Sequence, residues 1–141
     1  MIYLDTSAAV PLFVQEPASQ AVDAWFEGCA EPLVSSDWIV GEFASALALK
    51  ERAGMLAAKH ARAAWREFEL FCSAGLRLFP VSRGAFREAA TLARQHTHGL
   101  RAGDALHLAV ALEAGVKSLA TLDPTQADNA RRLKLPTVEI L

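Results

Sequence analysis

Short, mostly apolar runs alternate along this chain with longer stretches in which apolar residues recur every three or four positions. The runs are Ile2-Tyr3-Leu4, Leu33-Val34-Ser35, Leu76 to Val81, Lys117 to Leu122 and Thr137 to Leu141. Uninterrupted apolar runs of this length read as strands buried on both faces, as in parallel sheets. The stretches between them read as helices. One runs from Thr6 or Ser7 through Val14, with Pro11 near its first turn. A second, from Pro17 to Gly28, carries Val22, Trp25 and Phe26. A third, capped by Ser36 or Asp37, carries Ile39, Phe43, Ala46 and Leu47 and stops at Gly54. Met55 to Ala74 places Trp65, Phe68 and Phe71 near one side, and forms an αα-hairpin with the helix before it. Ser82 caps a helix from Arg83 to about His96. Asp104 to Ala114 is apolar nearly all round, hence buried, and a short helix spans Asp128 to Leu133. Strands separated by helices require right-handed crossovers. The pattern predicts an α/β fold, residues 1–141 as a single domain, with a central, mostly parallel sheet of about five strands flanked by helices.

Composition narrows the classes. The chain has 141 residues, 52% of them hydrophobic, which suits a domain that folds on its own core. Its net charge of −2 supplies no bulk field for nucleic acid, so such a partner would need a local basic patch. Cys29 and Cys72 are isolated, which argues against zinc and dithiol chemistry and for two reduced thiols. No secretory leader and no membrane span are expected, because Asp5 interrupts the apolar start and the longest apolar stretch, Ala105–Leu112, contains His107. The protein is expected in the cytoplasm.

The candidate chemistry is acidic. Asp5 and Asp123 each follow an apolar strand, Asp104 starts a buried helix, and Glu42 borders its helix's core-facing stripe. Open α/β sheets bind ligands outside the carboxyl ends of their strands, so the four acids can meet on one rim. Taken singly, each has another explanation: helix caps for Asp5 and Asp104, a turn for Asp123, a solvated side chain for Glu42. Taken together they repel. Two carboxylates about 5 Å apart cost roughly 3 kcal/mol at an effective dielectric near 20. Protons or cations must compensate, and hard oxygen donors with no imidazole or thiolate select Mg²⁺ or Mn²⁺ over zinc. Such a site is suited to phosphodiester hydrolysis by water.

The ordered set Leu4-Asp5-Thr6-Ser7, Ser36 to Glu42, Arg101-Ala102-Gly103-Asp104-Ala105-Leu106-His107 and Thr121-Leu122-Asp123 resembles the PIN-domain ribonucleases, and most of all the VapC-like toxins of type II toxin–antitoxin pairs. The resemblance covers essentially the whole chain. It implies a PIN-like fold and a Mg²⁺- or Mn²⁺-dependent endoribonuclease acting on RNA. It also implies a cognate antitoxin that occupies the site, and a homodimer. It makes Asp5, Glu42 and Asp104 the core metal-site acids and Asp123 a fourth, acting through water. Thr121, and Thr6 or Ser7, would orient a carboxylate or water. The chain departs from the family after Asp123, where Pro124-Thr125-Gln126 replaces a step to an aromatic or other large residue.

The remaining residues read more plainly. His107 shares a helical face with Asp104 and is taken as a hydrogen-bonded core histidine. Lys50, Arg52, Lys59, Arg62 and Arg66 form a solvated basic face; Arg101 is the preferred phosphate contact. Trp25, Trp38 and Trp65 read as core or interface residues. The alternative function is a catalytically weak PIN-fold module that works by binding an antitoxin or RNA. A receiver domain lacks its acid pair, because Asp5 stands among hydroxyls. An Asp-x-Asp phosphatase fails at Ser7, and no Gly-rich phosphate loop occurs.

Overall fold

A computed structural model describes residues 1–141. The elements in chain order are β1 (Ile2–Leu4), α1 (Thr6–Phe13), α2 (Ser19–Gly28), β2 (Leu33–Ser36), α3 (Trp38–Arg52), α4 (Ala58–Ala74), β3 (Leu76–Phe79), α5 (Arg83–Ala93), α6 (Ala102–Ala114), β4 (Ser118–Ala120) and α7 (Pro124–Arg132). The strands form one parallel sheet in the order β3-β2-β1-β4. Because every strand points the same way, the carboxyl ends of β1, β2 and β4 lie side by side.

Alternation along the strands sorts the core into two layers. Tyr3 pairs in register with Val34 on one side and Leu119 on the other, and all three face the helices α5 and α6. Ile2 and Leu4 point the opposite way, into a layer with Leu33, Leu76, Ile39, Phe43, Leu47 and Phe68. Stacked rings of Phe43 and Phe68, 4.0 Å between centroids, join α3 to α4, and Phe13 of α1 meets both edge-on. That packing fixes the roll of α3, so Glu42, one residue before Phe43, is turned out of this layer.

The sheet has four strands, not five. Thr137 makes a single bridge to Leu119, and the segment gives only two backbone bonds, Leu119 N–H to Pro136 and Val138 N–H to Leu119. Pro136 has no N–H to continue a ladder. Other boundaries differ from the sequence pattern, α4 among them, which begins at Ala58 rather than Met55. Helix α6 begins at Ala102 rather than Asp104, and α7 at Pro124 rather than Asp128. Helix α5 stops at Ala93, and His96–His98 form a separate 3-10 turn. Ser82 caps α5 as the pattern indicates, accepting from the Ala85 N–H at 3.0 Å. Gly115 ends α6 with φ of 66°, a conformation that favours glycine. No helix is long and apolar enough to cross a membrane.

Candidate active site

Asp5 leaves β1 directly and is 3% exposed. Its Oδ2 accepts from two hydroxyls, Ser7 and Thr121, each at 2.7 Å. Ser7 in turn accepts from the Leu122 N–H at 2.9 Å, and Thr121 from the Asp123 N–H at 3.1 Å. The end of β1 and the segment after β4 are thus laced together through one carboxylate oxygen.

Glu42 approaches from α3. Its Oε1 accepts from Thr6 at 2.6 Å and from His107 Nε2 at 2.5 Å. His107 is completely buried in α6, and its other nitrogen is hydrogen-bonded to the Tyr3 hydroxyl at 2.7 Å. Burial raises the pKa of that phenol and keeps it protonated. Burial alone would raise Glu42 as well, but the His107 hydrogen bond and charge outweigh it, helped by Thr6 and the Trp38 indole, and the carboxyl lies below its ordinary range. For His107 the signs reverse. Burial pushes the imidazole down, while the bond to Glu42 and the charge of Asp5 push it up more strongly, so its pKa is raised. His107 Nε2 stands 3.7 Å from Asp5 Oδ1.

Asp104 sits in the first turn of α6 and is half-buried. Burial raises its pKa to about 6, with further pressure from the charges of Asp5, Asp123 and Glu42. Asp104 therefore feels the other three acids at this rim. Asp123 is the N-cap of α7: its Oδ1 accepts from the Thr125 and Gln126 N–H groups at 2.9 and 3.4 Å. Arg101 is exposed at the N-cap of the same helix as Asp104. Asp128 points away and pairs with Arg131.

Comparison with known proteins places this arrangement. A family description, "PIN domain", matches residues 2–132. Ribonuclease VapC45 of Mycobacterium tuberculosis is 35% identical over 115 residues, covering 82% of this chain and 77% of that protein. The chain belongs to the PIN-domain family. Among solved structures, M. tuberculosis VapC20, titled a sarcin-ricin loop cleaving toxin, superposes on this PIN domain with a TM-score of 0.73 at 20% identity, covering 92% of this chain and 95% of its own. FitAcB from Neisseria gonorrhoeae gives the same TM-score at 21% identity, covering 99% and 97%.

Within this PIN domain, the donor chemistry fits a hard divalent cation: four carboxylates and three hydroxyls, with Asp104 raised first by burial and then by the charges of the other three acids. No three acidic, histidine or cysteine side chains already stand as a ligating group. Asp5 Oδ2, Glu42 Oε1 and Asp123 Oδ1 are engaged by protein donors, while Asp5 Oδ1, Asp123 Oδ2 and the Asp104 carboxylate accept no hydrogen bond, and Glu42 Oε2 lies beside Gly103 and the Trp38 indole.

Three residues at the site were not legible as such. His107 is the buried, hydrogen-bonded histidine that its helical face suggests, but spacing does not reveal that its partner is Glu42. Trp38 is 38% exposed, not core, and its Nε1 lies 3.0 Å from where a Cβ on Gly103 would stand. The same Cβ would lie 2.6 Å from Glu42 Oε2, so glycine at 103 is what lets α6 close on α3. Gln126, fully buried, donates from Nε2 to the Asp104 carbonyl at 3.0 Å and ties α7 to α6. Of the basic residues, Lys50 is paired with Glu16.

Proposed function

We propose that this protein is an endoribonuclease that hydrolyses RNA phosphodiester bonds with Mg²⁺ or Mn²⁺, and that it serves in the cytoplasm as the toxin of a toxin–antitoxin pair. The observation that carries the reading is the approach of Asp5, Glu42 and Asp123 to Asp104 at one sheet rim, where burial and then the charges of those three lift Asp104 to about 6. Acids so placed are costly unless a cation compensates them. The ribonuclease name of the VapC relative, at 35% identity, supports the same substrate class.

Asp5, Glu42 and Asp104 would hold the ion, with Asp123 the outer fourth acid. When bound, the ion supplies a Lewis acid that polarises a phosphodiester and acidifies water. The rest is done by the chain. Thr121 and Ser7 fix the direction of the Asp5 carboxylate, so its free oxygen faces the rim. Thr6 does the same for Glu42. Arg101, exposed where α6 begins, offers a guanidinium to an RNA phosphate.

A protein partner is supported by a separate surface. A groove of about 440 Å³ runs between α3 and α4, lined by Ala44, Leu47, Ala48, Ala61 and Trp65 with Arg62 and Arg66. Apolar ground of this kind suits an antitoxin or a second copy of the chain.

The test is cleavage of RNA by purified protein with Mg²⁺ or Mn²⁺. Activity should vanish in EDTA and in Asp5→Asn and Asp104→Asn. Undiminished cleavage in EDTA would overturn the metal reading, and an inert protein that still binds a neighbouring gene's product would favour a pure binding module.

A further inference from the structure

We propose that His107 is a positioning residue for Glu42: a buried imidazole whose Nε2–H aims the carboxylate at the rim, with the Tyr3 hydroxyl holding the ring from behind. The inference rests on the metal-site reading above and adds a residue to it. An ionised carboxylate only accepts hydrogen bonds, so at 2.5 Å from Glu42 Oε1 it is His107 Nε2 that carries the proton. This holds whether the ring is neutral or charged. In the neutral ring, Nδ1 accepts from Tyr3; in the cation, it donates. The ring cannot swing away. It is fully buried, and Tyr3 meets it edge-on with 5.5 Å between ring centroids and 71° between planes.

The arrangement spans three elements. Tyr3 comes from the central strand β1, His107 from α6 and Glu42 from α3, so the contact also sets the distance between the two acid-bearing helices. Thr6, at 3.1 Å from Nε2, shares the same Glu42 oxygen and closes a triangle. With Oε1 held by two donors, Oε2 lies beside the Trp38 indole and Gly103, the residue before Asp104. A donor placed behind a metal-ligating group is worth about 10–100-fold in metal affinity.

The experiment compares Mn²⁺ binding by calorimetry in wild type, His107→Leu and His107→Gln. Leucine keeps the apolar volume and loses the donor; a glutamine amide can place its Nε2–H where the imidazole has its own. Binding should weaken about tenfold or more in His107→Leu and recover most of that loss in His107→Gln. Equal affinity in wild type and His107→Leu, or no recovery with glutamine, would overturn the proposal. Because a leucine so near two carboxylates can impair folding, the nitrogen-15 shifts of His107 are also measured in the unmutated protein. A protonated Nε2 supports the arrangement; an unprotonated Nε2 overturns it. If wild type takes up no Mn²⁺, the metal reading fails, and the imidazole shifts still decide how His107 meets Glu42.

Discussion

Asp5 and Asp104 face the same rim, yet they are held in opposite ways. Asp5 is almost fully buried, with two hydroxyl donors on one oxygen and backbone N–H groups bracing each hydroxyl. Asp104 is half-exposed, and its raised pKa records burial and repulsion with no hydrogen bond to offset them. Hydrogen bonds to the charged form lower a carboxyl's pKa, while desolvation and like charges raise it. One acid is thus built into the framework and the other is set against it. A site with both kinds has a rigid half that fixes position and a strained half that gains most when a cation arrives.

Neutralising each acid should separate the two roles. Asp5→Asn and Asp104→Asn should both abolish RNA cleavage. Their effects on the metal-free protein should differ in sign: Asp104→Asn removes repulsion and raises the melting temperature, whereas Asp5→Asn loses charge-assisted bonds from Ser7 and Thr121 and lowers it. Thermal melts in EDTA decide this, and equal shifts would erase the contrast. Next in size is Thr121→Val, which removes a buried donor to a charged acceptor. It should cost about 2 kcal/mol in denaturant titration and weaken cleavage by loosening Asp5.

Gly103→Ala should act on the site more than on the fold. The added methyl crowds Glu42 Oε2 and the Trp38 indole and pushes the carboxylate off its bonds to Thr6 and His107, a loss offset by alanine's better helix propensity, about 1 kcal/mol. Stability should hold while Mn²⁺ affinity falls, measured by calorimetry beside the melting curve. The smallest effect is in pH. The folded Asp104 binds a proton more tightly than the unfolded chain, with a pKa raised from 3.8 to about 6. Its contribution therefore favours folding below pH 3.8, and that part is lost as pH rises through about 6. Compared with wild type, Asp104→Asn should lack this decline in metal-free melts between pH 4 and 6.5. Mn²⁺ binding should release a proton at pH 5 and almost none at pH 7.5.

Much of this was legible in the chain itself. Apolar runs ending in Asp5 and before Asp123 locate two strand ends, and a parallel sheet puts strand ends together without further information. The helical period of Ile39, Phe43 and Leu47 orients α3 and thereby Glu42. What escaped the pattern depends on contacts between distant segments. Thr137–Leu141 reads as a strand by its pattern, and only the fold shows that it bridges the sheet at Thr137 alone, opposite Leu119. Asp123-Pro124 reads as a turn until the side chain is seen capping α7, with proline in the first turn, where its missing N–H does no harm. Trp38 sits one residue before buried Ile39, and only the approach of α6 at Gly103 shows why an indole lies at the rim. The roles of Tyr3 and His107 need a contact across 104 residues.

The strand order carries a consequence for how the molecule is made. β1 is made before the other strands, but it lies between β2 and β4, and β4 consists of residues 118–120. β1 must wait for β4 before its second edge is filled, and Thr121 reaches Asp5 only then. The acid rim therefore cannot form on a nascent chain until β4 has been made.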